Sequence, residues 1–186
     1  NDNSFYHVVN YNKHPGAVIQ RRTAQGYVDE SAWARGQAWG LYGYTMTYRE
    51  TKDLRYLQMA EKIAAFMLGH PNLPADMILY WDYNAPDIPN ALRDASAGAV
   101  MAAALLELCT YADDAAAKKY YAAAERILKS LSAPVYKAAP GTNGGFILMH
   151  SVGHLPAKSE INVGISYADY YYVEALKRYK EMAGRK

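Results

Sequence analysis

Cysteine is almost missing from this chain: the single thiol among 186 residues, Cys109, sits inside an apolar helical run. That excludes a disulfide framework and a thiolate metal site, and leaves the role of a small buried apolar residue. Neither sign of charge dominates. With 20 Lys plus Arg against 18 Asp plus Glu, a formal charge of +2 offers no polybasic stripe, so salt-driven affinity for nucleic acid has no source. Long apolar runs are missing too; stretches such as Ala99 to Leu106 fall far short of the roughly 20 residues needed to cross a bilayer, and no membrane span is expected. There is no GxSxG elbow and no glycine loop to cradle phosphate. His7, His14, His150 and His154 show no HExxH-like spacing, so no metal is expected. The first residues, Asn1 to Asn12, have no initiator Met, charged n-region or apolar h-region. They read as the interior of a longer sequence, and the compartment cannot be read.

What the chain does have is apolar bulk and tyrosine. Hydrophobic residues make up 51% of it, enough for one globular domain with a real core. Tyrosine occurs 18 times against 3 phenylalanines, a preference for aromatics with a polar tip that suits wet aromatic surfaces such as carbohydrate clefts.

Helix signals fall in pairs. Ser31 is placed to cap a helix running to about Thr51, and Asp53 one running to about Leu68, stopped by Gly69 and Pro71. A second pair runs from Asp94 to about Ala112 and from Asp114 to about Leu131, closed by Pro134. Tyr56, Ala60, Glu61, Lys62 and Ile63 align with Tyr120, Ala124, Glu125, Arg126 and Ile127 at one constant offset, the mark of a repeat. A last helix, Ser166 to about Met182, has no partner. The first helix of each pair is rich in small residues, with Gly36, Gly40 and Gly43 on one face where a neighbouring backbone could approach; these read as inner helices. The second helices carry Glu61, Lys62, Lys118, Lys119, Glu125 and Lys129 outward and read as outer helices.

The chemistry gathers before each inner helix. Phe5 to Glu30, Pro71 to Arg93 and Pro134 to Gly164 are long segments of Trp, Tyr, His, Asp and Gly, so the unusual residues meet at the rim formed by the inner helices' N-terminal ends. Within them, Ile78 to Tyr83 and Gly145 to His150 are expected as short strands. Ala32, Arg35 and Trp39 share a stripe at the start of the first helix, where a guanidinium, an indole and a positive helix end suit a carboxylated sugar. The same spacing also fits Trp33 and Trp39 as core and Arg35 as a surface salt bridge. Asp94 reads as an N-cap, and Asp82 either as a turn acid or as a loop acid among aromatics whose pKa could rise.

Several strings, in order, resemble the unsaturated glucuronyl hydrolases of glycoside hydrolase family 88. They are Gln25-Gly26-Tyr27, Trp33-Ala34-Arg35-Gly36-Gln37-Ala38-Trp39-Gly40, Tyr80-Trp81-Asp82-Tyr83-Asn84-Ala85-Pro86, Arg93-Asp94-Ala95-Ser96-Ala97, His150-Ser151-Val152-Gly153-His154, Lys158-Ser159-Glu160-Ile161 and Tyr167-Ala168-Asp169-Tyr170-Tyr171-Tyr172. The likeness covers nearly all of this chain but only the later half of the family's domain. It implies an all-α fold: a partial (α/α)6 barrel of inner and outer helix hairpins with long aromatic loops at one rim, residues 1–186 forming a single partial catalytic domain.

The resemblance further implies removal of the C4–C5 unsaturated uronic acid from the non-reducing end of lyase-generated oligosaccharides. An aspartic acid protonates C4 and helps water add at C5, and the hemiketal then opens. By position, His7, Gln25, Trp33, Arg35 and Trp39 resemble substrate-contacting residues, and His150 to Glu160 resembles a loop that shapes the second sugar's subsite. The family's two catalytic aspartates lie upstream of anything matching His7, so no catalytic residue is expected here, nor any cofactor. The implied partners are the unsaturated oligosaccharide and whatever covers an apolar face, either the other half or a second chain. The related unsaturated rhamnogalacturonyl hydrolases are expected to have Asn-Gly-Trp where this chain has Gln37-Ala38-Trp39. A non-catalytic helical-repeat module would not need such aromatic loops.

Overall fold

A computed structural model describes residues 2–184 of the chain. Five helices form two and a half hairpins: α1 (Ala34–Thr51) with α2 (Leu54–Gly69), α3 (Ala95–Leu108) with α4 (Asp114–Leu131), and α5 (Ser166–Ala183). The centre is α3. All of its 14 residues are buried, and its alanines let α1, α4 and α5 pack closely around it. The inner layer is therefore α1, α3 and α5, backed by α2 and α4, as the small-residue and charged-face patterns predict.

Local signals set most helix ends. Asp53 accepts from Arg55 N, Asp94 from Ser96 N, and Asp113 from Ala115 N and Ala116 N, each filling part of a first turn's donor deficit. Three details differ from the sequence expectation. Ser31 does not cap α1: its hydroxyl lies 2.7 Å from Asp82 Oδ2, and α1 starts instead with Ala34 N on the carbonyl of Trp81. Two of the α1 glycines admit aromatic rings and not a backbone, since a Cβ on Gly40 would lie 2.2 Å from the Phe5 ring and one on Gly36 2.7 Å from the Trp33 ring, while Gly43 meets nothing within 4 Å. And α3 ends at Leu108, short of Ala112, where Thr110 and Tyr111 turn back onto Glu107 and Leu108 carbonyls.

The strands also differ. Ile78 to Tyr83 and Gly145 to His150 make only isolated bridges, Tyr80 with Arg93, Trp33 with Asp82 and Lys137 with Leu148. Left-handed backbone at Gly145 (φ 90°) and His150 (φ 65°) breaks the second stretch at both ends. The sheet structure lies elsewhere, in two antiparallel hairpins: β1 (Val8–Tyr11) with β2 (Val18–Arg22), and β3 (Ser151–His154) with β4 (Ser159–Val163). A satellite cluster of Tyr80, Trp81, Ala85, Ala91 and Val152 glues the loop before α3 to β3. These loops and hairpins crown the end at which α1, α3 and α5 begin.

Candidate functional site

The five residues singled out in the sequence come together in one connected group. His7 lays its ring on Trp33, centroids 4.3 Å apart. Trp33 in turn covers the Arg35 guanidinium at 4.7 Å, and the other neighbour of that cation, Tyr167 on α5, stands 5.6 Å from it. Tyr167 leads to Trp39, whose ring is 6.0 Å away and also meets Tyr171 edge-on at 5.0 Å. Gln25 joins from the other side, its amide donating to the Gly153 carbonyl at 2.7 Å. The result is a wall of alternating rings and cation along the N-terminal ends of α1 and α5.

The histidine's protonation follows from its neighbours. Its Nδ1 accepts from Ala24 N (3.2 Å) and Gln25 N (3.3 Å), so the proton of the neutral ring is on Nε2. Burial, then the charges of Arg35, Arg22 and His154, hold its pKa below the ordinary value. His7 is thus a neutral donor beside an indole face, suited to a sugar hydroxyl.

Arg35 occupies a different place from the one its spacing suggests. It is 2% exposed, and the fork that could hold a sugar carboxylate already holds that of Asp94, with Nη1 2.6 Å from Oδ2. Nη1 also donates to Val152 O at 2.5 Å, and Nη2 to Gly153 O at 2.6 Å. The alternative of a surface salt bridge fails as well, because the pair is buried: the cation is a strut beneath Trp33. Trp33, 6% exposed, is mostly core, whereas Trp39 is half-buried.

Neither loop acid is free for chemistry. Asp82 is fully buried and accepts from Tyr27 N, Asn84 N and the Ser31 hydroxyl. Asp94 is fully buried between Arg35 and its own capping bonds. The histidines go separate ways, His150 to Asn162 and His154 Nδ1 to Ala157 N. Among the described residues no group of three or more His, Cys, Asp or Glu is placed to hold a metal ion, and no helix is long and apolar enough to cross a membrane. Cys109 is buried, its thiol pushed up to about 11 chiefly by burial.

The sequence reading missed two participants. Tyr167 appears there only within a tyrosine-rich string, and its half-buried phenol, raised by burial, closes the ring of contacts between Arg35 and Trp39. Gly153 appears there only within the His150–His154 string, with no role of its own. Its carbonyl takes both Gln25 and Arg35, and a Cβ there would lie 2.2 Å from Glu160 Oε2.

An inner layer of helices backed by outer ones, with an aromatic, hydrogen-bonding rim over the inner helices' N-terminal ends, is an arc of an (α/α)6 toroid. Across the length it spans, the chain is homologous to the unsaturated glucuronyl hydrolases of glycoside hydrolase family 88. It is 47% identical over 177 residues to the unsaturated glucuronyl hydrolase of Formosa agariphila, covering 95% of this chain and 44% of that protein. Its fold superposes on the crystal structure of an unsaturated glucuronyl hydrolase specific for heparin with a TM-score of 0.96 at 55% identity, covering 98% of this chain and 49% of the other. A Streptococcus agalactiae unsaturated glucuronyl hydrolase mutant complexed with dGlcA-GalNAc6S is 33% identical with a TM-score of 0.82, over 97% of this chain and 48% of that one. No protein-family model matches the chain. It spans about half the length of the relatives it matches.

Proposed function

We propose that residues 1–186 form the later helix pairs of one catalytic domain and supply the binding wall for an unsaturated uronyl sugar, in an enzyme that releases this sugar by hydrating its enol ether. The observation that carries the reading is the convergence of His7, Gln25, Trp33 and Trp39 around the Arg35 strut at one rim. A C4–C5 unsaturated uronate is flattened about its double bond. It would lie along the half-buried Trp39 indole, with the Nε2–H of His7 and the amide of Gln25 meeting its oxygens and Trp33 backing the site from the core. Proton delivery to C4 and addition of water at C5 would create a hemiketal that opens to a ketone at C5 and a hemiacetal at C1, whose collapse to an aldehyde breaks the glycosidic bond and frees the second sugar.

The acid for that step is to be found outside these residues, because Asp82 and Asp94 are buried and bonded. The partner surface belongs to the same proposal. Along α5, Tyr170 is 61% and Val173 51% exposed, Leu176 follows, and the buried Glu174 Oε2 beside them has no hydrogen-bond partner among the described residues. Such a stripe with an orphan acceptor is a seam for the other half of a toroid. The test is to incubate the chain with an unsaturated chondroitin or hyaluronan disaccharide and follow the enol-ether absorbance. The absorbance is expected to stay constant, since losing a general acid forfeits about 10² to 10⁴ in rate. Turnover like that of a complete enzyme would place the acid within these residues and overturn the assignment.

A further inference from the structure

The Asp94 carboxylate does more than a helix cap requires. Its Oδ1 receives Ser96 N at 3.1 Å and the Ser96 hydroxyl at 2.5 Å, and Val152 N lies 3.4 Å away; its Oδ2 receives Arg35 Nη1 at 2.6 Å. Backbone groups around it are tied as well: Asp94 N donates to Leu79 O, and Ala95 N to His150 O. One fully buried charge therefore touches α1 through Arg35, α3 through its own cap, and β3 through Val152. Arg35, fixed by that charge, reaches on to the carbonyls of Val152 and Gly153, where Gln25 also ends.

We infer that Asp94 is a positioning residue whose charge, acting through Arg35, sets where the β3–β4 hairpin stands against the aromatic rim. A cap alone needs only a short polar side chain, and serine serves as well as aspartate. Holding a buried guanidinium in one plane needs the carboxylate charge, because an unpaired cation there would have to move or draw in water. Beyond the packing of Val152 in the satellite cluster and the Gln25 amide on Gly153, the polar support of the hairpin comes from this ion pair. Most of β4 is exposed, and Gly153 packs so closely on Glu160 that a shift of β3 must move both strands together. The consequence for binding rests on the carbohydrate reading above; the consequence for the hairpin does not.

Four variants separate charge from cap: Asp94→Asn, Asp94→Ser, Arg35→Gln and the double variant Asp94→Asn/Arg35→Gln. Backbone hydrogen exchange is read on β3–β4, with β1–β2 as the internal reference. Asp94→Asn and Asp94→Ser are expected to speed exchange in Ser151–His154 and Ser159–Val163 at least ten-fold while β1–β2 is unchanged. Arg35→Gln should give the same pattern, and the double variant should be no faster than either single one. If Asp94→Asn does not fold, Arg35→Gln carries the test, since it leaves the cap intact.

Wild-type hairpin exchange in Asp94→Ser would mean that Asp94 is a cap only and would overturn the proposal. So would effects of Asp94→Asn and Arg35→Gln that simply add. A second readout is tryptophan fluorescence during titration with an unsaturated uronyl disaccharide, where Asp94→Ser is expected to weaken the midpoint about ten-fold and Asp94→Glu to recover part of it. A wild-type protein that gives no saturable response would remove the carbohydrate reading and leave the exchange result to decide the hairpin's support.

Discussion

His7 turns Nδ1 toward two backbone N–H groups and lays its ring on Trp33, so charging it would set a proton against two donors beside the Arg35 and Arg22 cations. Its folded-state pKa is therefore below the unfolded value of about 6.5, and the sign of the linkage follows. Above that pH the ring is neutral in both states and its stabilising contacts are complete. As pH falls through the lowered folded value, the folded protein must take up a proton it disfavours, and stability drops. His70, half-buried against Phe66 and Tyr83 and lowered by burial, adds a contribution of the same sign. Between about pH 7.5 and about pH 5 the melting temperature of His7→Gln should fall less than that of the wild type. Equal falls would show that His7 is not held neutral.

At this scale the sequence conveyed residue types but not their pairings. His7, Gln25, Trp33 and Trp39 meet at one rim because each reaches it from a neighbouring segment. The role of Arg35 was not legible. Its partner is 59 positions away, and only the packing of α1 against α3 turns a surface guanidinium into a buried strut.

Among the elements, α1 shows how one glycine face serves two purposes. Gly40 lies under the Phe5 ring, whereas nothing lies within 4 Å of the Cβ position of Gly43. Gly40→Ala must push Phe5 away and loosen the N-terminal segment, whose Phe5 backbone is also bonded to Gln37, and a loss of about 1–3 kcal/mol is expected. Gly43→Ala should gain about 0.5–1 kcal/mol from helix propensity alone. Urea unfolding of the two variants compares them directly, and equal effects would contradict the packing given to Phe5.

The helices were legible because their determinants are local: aspartate caps at 53, 94 and 113, and Gly or Pro just beyond the ends. The hairpins were not. β1 and β2 lie mostly at the surface, without a clean apolar alternation, and β4 contains left-handed residues at Glu160 and Asn162 that no strand pattern includes. The same reasoning placed Ser31 as a cap, a role it lost because Asp82, 51 positions on, takes its hydroxyl.

For the whole molecule, the relation between fold and function lies in what the chain shares with its relatives and what it leaves to the rest of such an enzyme. The arc of α1, α3 and α5 presents a rim at one end, and its α5 edge carries exposed Tyr170 and Val173 beside the orphan oxygen of Glu174. That the chain is an arc was legible from two and a half helix pairs. Which face would be left open was not, since Tyr170, Tyr171 and Tyr172 look alike in sequence while only Tyr170 is exposed.

The central proposal is that this arc is the sugar-binding half of an unsaturated glucuronyl hydrolase domain. It is tested most directly by replacing the matching half of a homologous enzyme with this chain and measuring loss of the enol ether from an unsaturated uronyl disaccharide. The chimera is expected to turn over substrate. Its His7→Ala and Gln25→Ala variants should lose roughly 10- to 100-fold in kcat/KM, the scale of one or two hydrogen bonds, and Val173→Asp should lose activity by separating the halves. A folded chimera without turnover, or one indifferent to His7 and Gln25, would contradict the account.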